Sequence, residues 1–196
     1  MTSILPLAVL AMALSDPVST PDPAFPPHAV GGGTVVAALE VADGSVKRVT
    51  LLTGQEPFAG CAQQALSSWR FAQAAEPERV VVVVHFRQPN PTSQGSSQRR
   101  VPAASGKGAA AGPYPLSISE PSYPPHGAGQ GSVVLGVGLT SSGGIDKITT
   151  LKPLGVFADA SIQAVRQWRF APASDASGKA VSSKAYVVIV FRPPVL

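Results

Sequence analysis

The sequence predicts an α+β protein built from two small β-β-α-β modules, each a three-stranded antiparallel sheet backed by one helix. Three observations lead to that fold class. Trp-Arg-Phe-Ala occurs at Trp69–Ala72 and again at Trp168–Ala171, in a chain with only two tryptophans. The residues around each occurrence repeat in the same order. Within each copy the apolar spacing runs from period two to one helical face and then to a continuous apolar strand.

The repeat is found by sliding the chain on itself. "FPPHAVGGGTVVAALEVADGSV" (25–46) lies over "YPPHGAGQGSVVLGVGLTSSGGI" (123–145), which has one extra residue in its turn. "TLLTGQEPFAGCAQQALSSWRFA" (50–72) lies over "TTLKPLGVFADASIQAVRQWRFA" (149–171), and "RVVVVVHFRQP" (79–89) over "KAYVVIVFRPP" (184–194). The shared residues are turn formers and core formers, so Trp-Arg-Phe marks a copied unit and its default role is structural.

Each copy opens with an aromatic and two prolines in extended or first-turn geometry. Val35, Ala37, Leu39 and Val41 then alternate with more polar neighbours, as do Val133, Leu135, Val137 and Leu139, which predicts a half-buried strand. Asp43-Gly44 and Ser142-Gly143-Gly144 are hairpin turns leading to second strands at about 46–53 and 145–152. Phe58, Ala62, Ala65, Leu66 and Trp69 fall on one helical face, and so do Phe157, Ser161, Ala164, Val165 and Trp168. Third strands at 79–87 and 184–192 close the modules, which span 24–89 and 121–194. Residues 90–120, rich in Pro, Gly, Ser and Ala, read as a linker of roughly 30 Å average span if coil.

Residues 1–15 read as a signal peptide, since the apolar run from Ile4 to Leu14 suits an h-region and is too short to span a bilayer. Export to the periplasm is the expectation, with inner-membrane anchoring the alternative if the true start lies upstream. Of the 196 residues, 44% are hydrophobic and 13% charged, enough apolar surface for a core. The net charge of +4 is not uniform and falls in the second copy, where the basic residues are scattered rather than clustered with no aromatic platform between them, so nucleic acid is not an expected partner. Cys61 is the single cysteine, and in a helical pattern it reads as a small buried hydrophobe.

No catalytic residues, metal ligands or cofactors are expected, and an enzyme is not the reading. His28 and His126 follow Pro-Pro in each copy with no second ligand at a metal spacing. Glycines 31–33, 129 and 131 precede strands rather than helices, which excludes a dinucleotide fingerprint, and "SGKGAAAG" lacks the glycine and hydroxyl of a phosphate loop. The structural signature is Trp69, Arg70 and Phe71 in the first copy and Trp168, Arg169, Phe170 and Pro172 in the second. Each arginine sits where it complements a helix C-terminus and snorkels outward.

The third strand is apolar on both faces: "VVVVVHF" (80–86) and "AYVVIVF" (185–191). Two explanations stay open. The second face is covered by the Pro-rich segments or by the other copy, or else an edge is kept for a partner strand. The candidate partner-binding residues are Lys184, Ala185, Tyr186, Val187, Val188, Ile189, Val190, Phe191 and Arg192.

These residues carry a family resemblance. Tyr123-Pro124-Pro125, Gly131-Ser132-Val133, Ala164-Val165-Arg166-Gln167-Trp168-Arg169-Phe170-Ala171-Pro172-Ala173 and Phe191 resemble the TonB C-terminal domain. The first copy resembles it through Phe25-Pro26-Pro27, Gly33-Thr34-Val35, Trp69-Arg70-Phe71 and Phe86, with Gln73 where the proline would stand. The resemblance implies a cell-envelope protein of the periplasm, associated with TonB-dependent transmembrane transport. It implies binding of extended segments of outer-membrane receptors by strand addition at 184–192. The alternative is a non-transducing structural or adaptor protein whose modules pair with each other or with another envelope protein, including self-association through strand edges.

Overall fold

The computed structural model describes residues 15–29, 31–72, 76–87, 98–104, 112–124 and 130–192. The predicted signal segment lies outside them, apart from Ser15. In chain order the first half holds β1 (Pro17–Ser19), β2 (Gly33–Ala42), β3 (Ser45–Thr53), α1 (Phe58–Ser67), β4 (Arg70–Phe71) and β5 (Glu78–Arg87). Between the halves are β6 (Gln98–Arg100) and β7 (Tyr114–Ser119). The second half holds β8 (Gly131–Leu139), β9 (Ile145–Lys152), α2 (Phe157–Val165), β10 (Arg169–Ala171), β11 (Ala173–Ser174), β12 (Ala180–Val181) and β13 (Ser183–Phe191).

Both halves contain the predicted order of two strands, a helix and a long strand. At Asp43 and Gly44 the backbone is left-handed (φ 52° and 68°), the geometry a two-residue hairpin turn requires. Gly143 has φ 81°, and a Cβ there would meet the Phe170 carbonyl oxygen at 2.2 Å, so no other residue fits that turn. The helices are short, and helices of that length are marginal alone. They are held by their buried faces: Phe58, Ala62 and Leu66 in α1, Phe157, Ala164 and Val165 in α2.

The expectation of two separate three-stranded sheets is corrected. One eight-stranded mixed sheet runs β1-β4-β3-β2-β5-β13-β8-β9. The two copies join through their third strands, β5 and β13, which pair in parallel from Ala185↔Val81 to Phe191↔Arg87. The cause is in the sequence of those strands. Each is apolar on both faces, and pairing them satisfies two rows of backbone groups at once.

The parallel join sets where the helices lie. Val80, Val82, Val84 and Phe86 pack with α1, whereas Val81 and Val83 pack in the cluster that contains α2. The helices therefore occupy opposite faces, related by an approximate twofold axis along the strands. Each helix covers only its own half of a face. The other half is covered by the chain leading into a copy. Val101, Tyr114 and Ile118 lie over Val36, Ala38, Val81 and Val83. On the opposite face the segment from Ser15 to Phe25 lies over Val134, Tyr186, Val188 and Val190, with Tyr186 Oη donating to the Ser15 carbonyl at 2.9 Å.

The segment read as a linker is thus partly structural. β7 pairs with β6 and with β10, as β1 pairs with β4 in the first copy. Six extra residues in the second copy form the β11–β12 hairpin, whose turn is tied by Asp175 accepting from the Ser177 and Lys179 amides at 2.9 and 3.0 Å.

A fused sheet implies a single cooperative transition. Trp69 and Trp168 are buried, at 0% and 1% exposure. Trp69→Ala and Trp168→Ala, each in the full chain, are expected to destabilise that one transition by about 3–5 kcal/mol, read by urea denaturation at two wavelengths. Separate transitions, each sensitive to one substitution, would show that the copies fold independently.

Candidate functional site

β13, which carries the predicted partner-binding residues, is a central strand. It pairs with β5 on one side and antiparallel with β8 on the other, from Ser183↔Leu139 to Phe191↔Gly131. Ala185, Tyr186, Val187, Val188, Ile189, Val190 and Phe191 are all buried. Lys184 at its start forms an ion pair with Asp16 and sits 5.2 Å from the Tyr186 ring centroid. Arg192 beyond its end lies over the Phe25 ring at 5.5 Å. The strand placed at 184–192 therefore presents no free edge in this arrangement. Burial, followed by the nearby Asp16 carboxylate, pushes the Tyr186 phenol far above its ordinary range, so it acts as a neutral donor.

The signature residues divide between core and surface as their chemistry dictates. Phe71 and Phe170 are buried with the tryptophans, and Trp168 Nε1 donates to the Ser119 carbonyl at 2.9 Å. Arg70 and Arg169 are exposed, and Arg70 donates to the Trp69 carbonyl at 2.9 Å. Pro172 is half-buried beside the short strands. Cys61 is half-buried, and burial raises its thiol pKa.

The large sheet ends at β9 on one side and, on the other, at β1, which joins β3 through β4. β9 pairs only with β8 among the described residues. Its half-buried residues are Ile145, Ile148, Leu151 and Lys152, and Asp146, Lys147, Thr149 and Thr150 are exposed. At the opposite side, β3 is held at Ser45 by β4, and the rest of its outer edge borders an open groove of about 400 Å³ beside α1. The groove's cations are already matched: Lys47 with Asp43 at 3.6 Å and Arg48 with Glu40 at 3.4 Å. Such exposed pairs contribute little to stability.

A second constellation lies behind the first copy, in residues the sequence reading did not single out. His85, a polar residue inside an otherwise apolar strand, is 2% exposed. Its Nδ1 is 3.0 Å from the Thr34 hydroxyl, and its Nε2 has no partner among the described residues. Burial, with Arg87 and Arg99 nearby, holds its pKa down at about 3, so the imidazole is neutral near pH 7. Next to it Arg87 donates from Nε to the Pro121 carbonyl (3.0 Å) and pairs with Glu120 (3.4 Å), which also pairs with Arg99 (3.3 Å). His28 is exposed, His126 lies outside the described residues, and no cluster of metal-ligating side chains occurs among the described residues.

Residues 119–193 match the family model described as Gram-negative bacterial TonB protein C-terminal. The match spans the second copy, beginning at the end of its lead-in strand β7. The resemblance expected in both copies is thereby supported for the second alone. No curated protein matches the sequence. No helix among the described residues is long and apolar enough to cross a membrane.

The buried imidazole sets an acid limit on stability. The unfolded chain protonates His85 near 6.5 and the folded chain only near 3, so its contribution is intact above about pH 6.5 and declines as pH falls toward 3. In that window it adds up to about 1.4 kcal/mol per pH unit to the loss of stability. His85→Val, which installs the residue type of the equivalent Val190, is expected to flatten the slope of unfolding free energy between pH 6 and 4 relative to the parent. Parallel slopes would mean that His85 is protonated in the folded state.

Proposed function

We propose that the protein is a TonB-like cell-envelope protein that takes up extended segments of outer-membrane transport receptors by strand addition, and that the added strand docks on β9. The observation that carries the reading is that β9 ends the sheet along its whole length, within the copy that matches the family model. An edge strand offers a row of main-chain donors and acceptors to an incoming extended chain. Its exposed Lys147 disfavours indiscriminate pairing, while Ile148 and Leu151 give alternate side chains of the added strand something to pack on. Docking on β13 at 184–192 would first require the parallel ladder with β5 to open. Residence in the periplasm follows from the family's Gram-negative envelope setting and from the export expected of residues 1–15.

A second reading is favoured by the β5–β13 ladder itself. Two copies that bury each other's third strands form an adaptor with no transducing role and hold another envelope protein through other surfaces. Cysteine trapping separates these readings. In a Cys61→Ser background, a receptor peptide carrying one cysteine is expected to form a disulfide with a cysteine placed at Thr149 or Thr150 of β9. It is not expected to trap at Val187 of β13. Trapping at Val187 alone would return the site to 184–192 and refute β9. Trapping at neither would refute strand addition and leave the adaptor.

A further inference from the structure

The two copies differ in one polar site that their symmetry makes directly comparable. Asp22-Pro23-Ala24-Phe25 leads into the first copy and Glu120-Pro121-Ser122-Tyr123 into the second. Each lead-in crosses the back of the opposite copy. Behind the second copy, the Asp22 carboxylate accepts a hydrogen bond from the Ser132 hydroxyl and pairs with the Lys152 ammonium at 2.8 Å. Ser132 and Thr34 are equivalent positions in the repeat, as are Val190 and His85 and Lys152 and Thr53.

Behind the first copy the equivalent carboxylate, Glu120, is held instead by Arg87 and Arg99. What Thr34 and His85 face is a cavity of about 590 Å³. Phe58 and Ile118 form apolar walls, Arg99 and Arg100 of β6 line one side, and Glu56 is an acidic residue of the lining. That volume is within the roughly 300–1,000 Å³ of small-molecule sites. A nearly fully buried imidazole contributes to its wall, with Nε2 unpartnered among the described residues.

We propose that this cavity binds a small organic carboxylate with an apolar body, its carboxylate taking the place that Asp22 occupies behind the second copy. The molecule itself supplies the argument for the chemistry. One copy sets a carboxylate against a strand-start hydroxyl and a cation, and the other sets a hydroxyl, an imidazole and Arg100 around a cavity, with Arg99 paired to Glu120 and Glu56 also in the lining. A carboxylate accepts only, so it selects the tautomer in which Thr34 donates to Nδ1 and Nε2 carries the proton. Arg100 supplies the positive charge that Lys152 supplies in the other copy, since Arg99 is shared with Glu120. Burial holds the imidazole neutral, so the Arg100 guanidinium provides the charge selectivity.

Benzoate and benzamide differ in the charge and not in the apolar body, which makes them the probes. Titrating each into the full-length ¹⁵N-labelled protein, benzoate is expected to shift the His85 ring-nitrogen resonances saturably toward the Nε2–H tautomer, and benzamide to leave them in place. Arg100→Gln, at an exposed position, is expected to weaken benzoate about tenfold without changing the melting temperature. Thr34→Val is expected to weaken it as well. Equal shifts from both probes would make the cavity a mere apolar void, and no shift from benzoate at millimolar concentration would refute the site. Benzoate binding unaffected by Arg100→Gln would overturn the assignment of the charge partner.

Discussion

The parallel ladder between β5 and β13 is the constraint on which the rest of the structure depends. It places two valine-rich strands side by side at the middle of one sheet, so neither presents the apolar edge each would otherwise expose. Because equivalent strands run in the same direction, the relating axis lies along them, and the two helices fall on opposite faces. Half of each face is then bare of helix. The proline-rich lead-ins, residues 15–25 and the described residues 101–104 and 112–123, cover those halves, with hydrogen bonds such as Tyr186 to Ser15 and Tyr114 to Pro102 (2.6 Å) fixing their course.

Much of each copy was legible because its periodicities are local. Val35 to Val41 alternate, Asp43-Gly44 turns the chain, and Phe58, Ala62 and Leu66 share a helix face. The aromatic triads Phe25-Phe58-Phe86 and Tyr123-Phe157-Phe191 then form in equivalent places, with Phe58 and Phe86 centroids 5.0 Å apart and Phe157 and Phe191 4.4 Å apart. The join between copies was not legible, because a doubly apolar strand is satisfied by any cover, and no local pattern names β5 as the partner of β13. The lead-ins were missed for a related reason. Pro115 and the exposed Leu116 disguise β7, although Tyr114 and Ile118 are buried. The signal was there in Asp-Pro-Ala-Phe and Glu-Pro-Ser-Tyr, which place the start of each repeat earlier than the aromatic. His85 was a second signal, since a histidine in a run of valines needs a polar neighbour or a ligand.

The fused arrangement gives the two copies different surroundings. The exposed sheet edge lies at β9, in the copy where Lys152 and Asp22 tie down the back of the sheet. The other copy exchanges that tie for Arg87, Glu120 and Arg99, and leaves Thr34 and His85 facing a cavity. The copies thus share a backbone plan and differ in the charged residues on it. Those differences, more than the shared Trp-Arg-Phe signature, distinguish the two halves.

Amide hydrogen exchange along β13 tests the central claim most directly. In a central strand consecutive amides bond alternately to the two neighbours, so every amide from Ala185 to Phe191 should exchange only through global unfolding. Fast exchange at every second residue of that stretch, with its neighbours protected, would show a free edge at β13 and contradict the fused sheet.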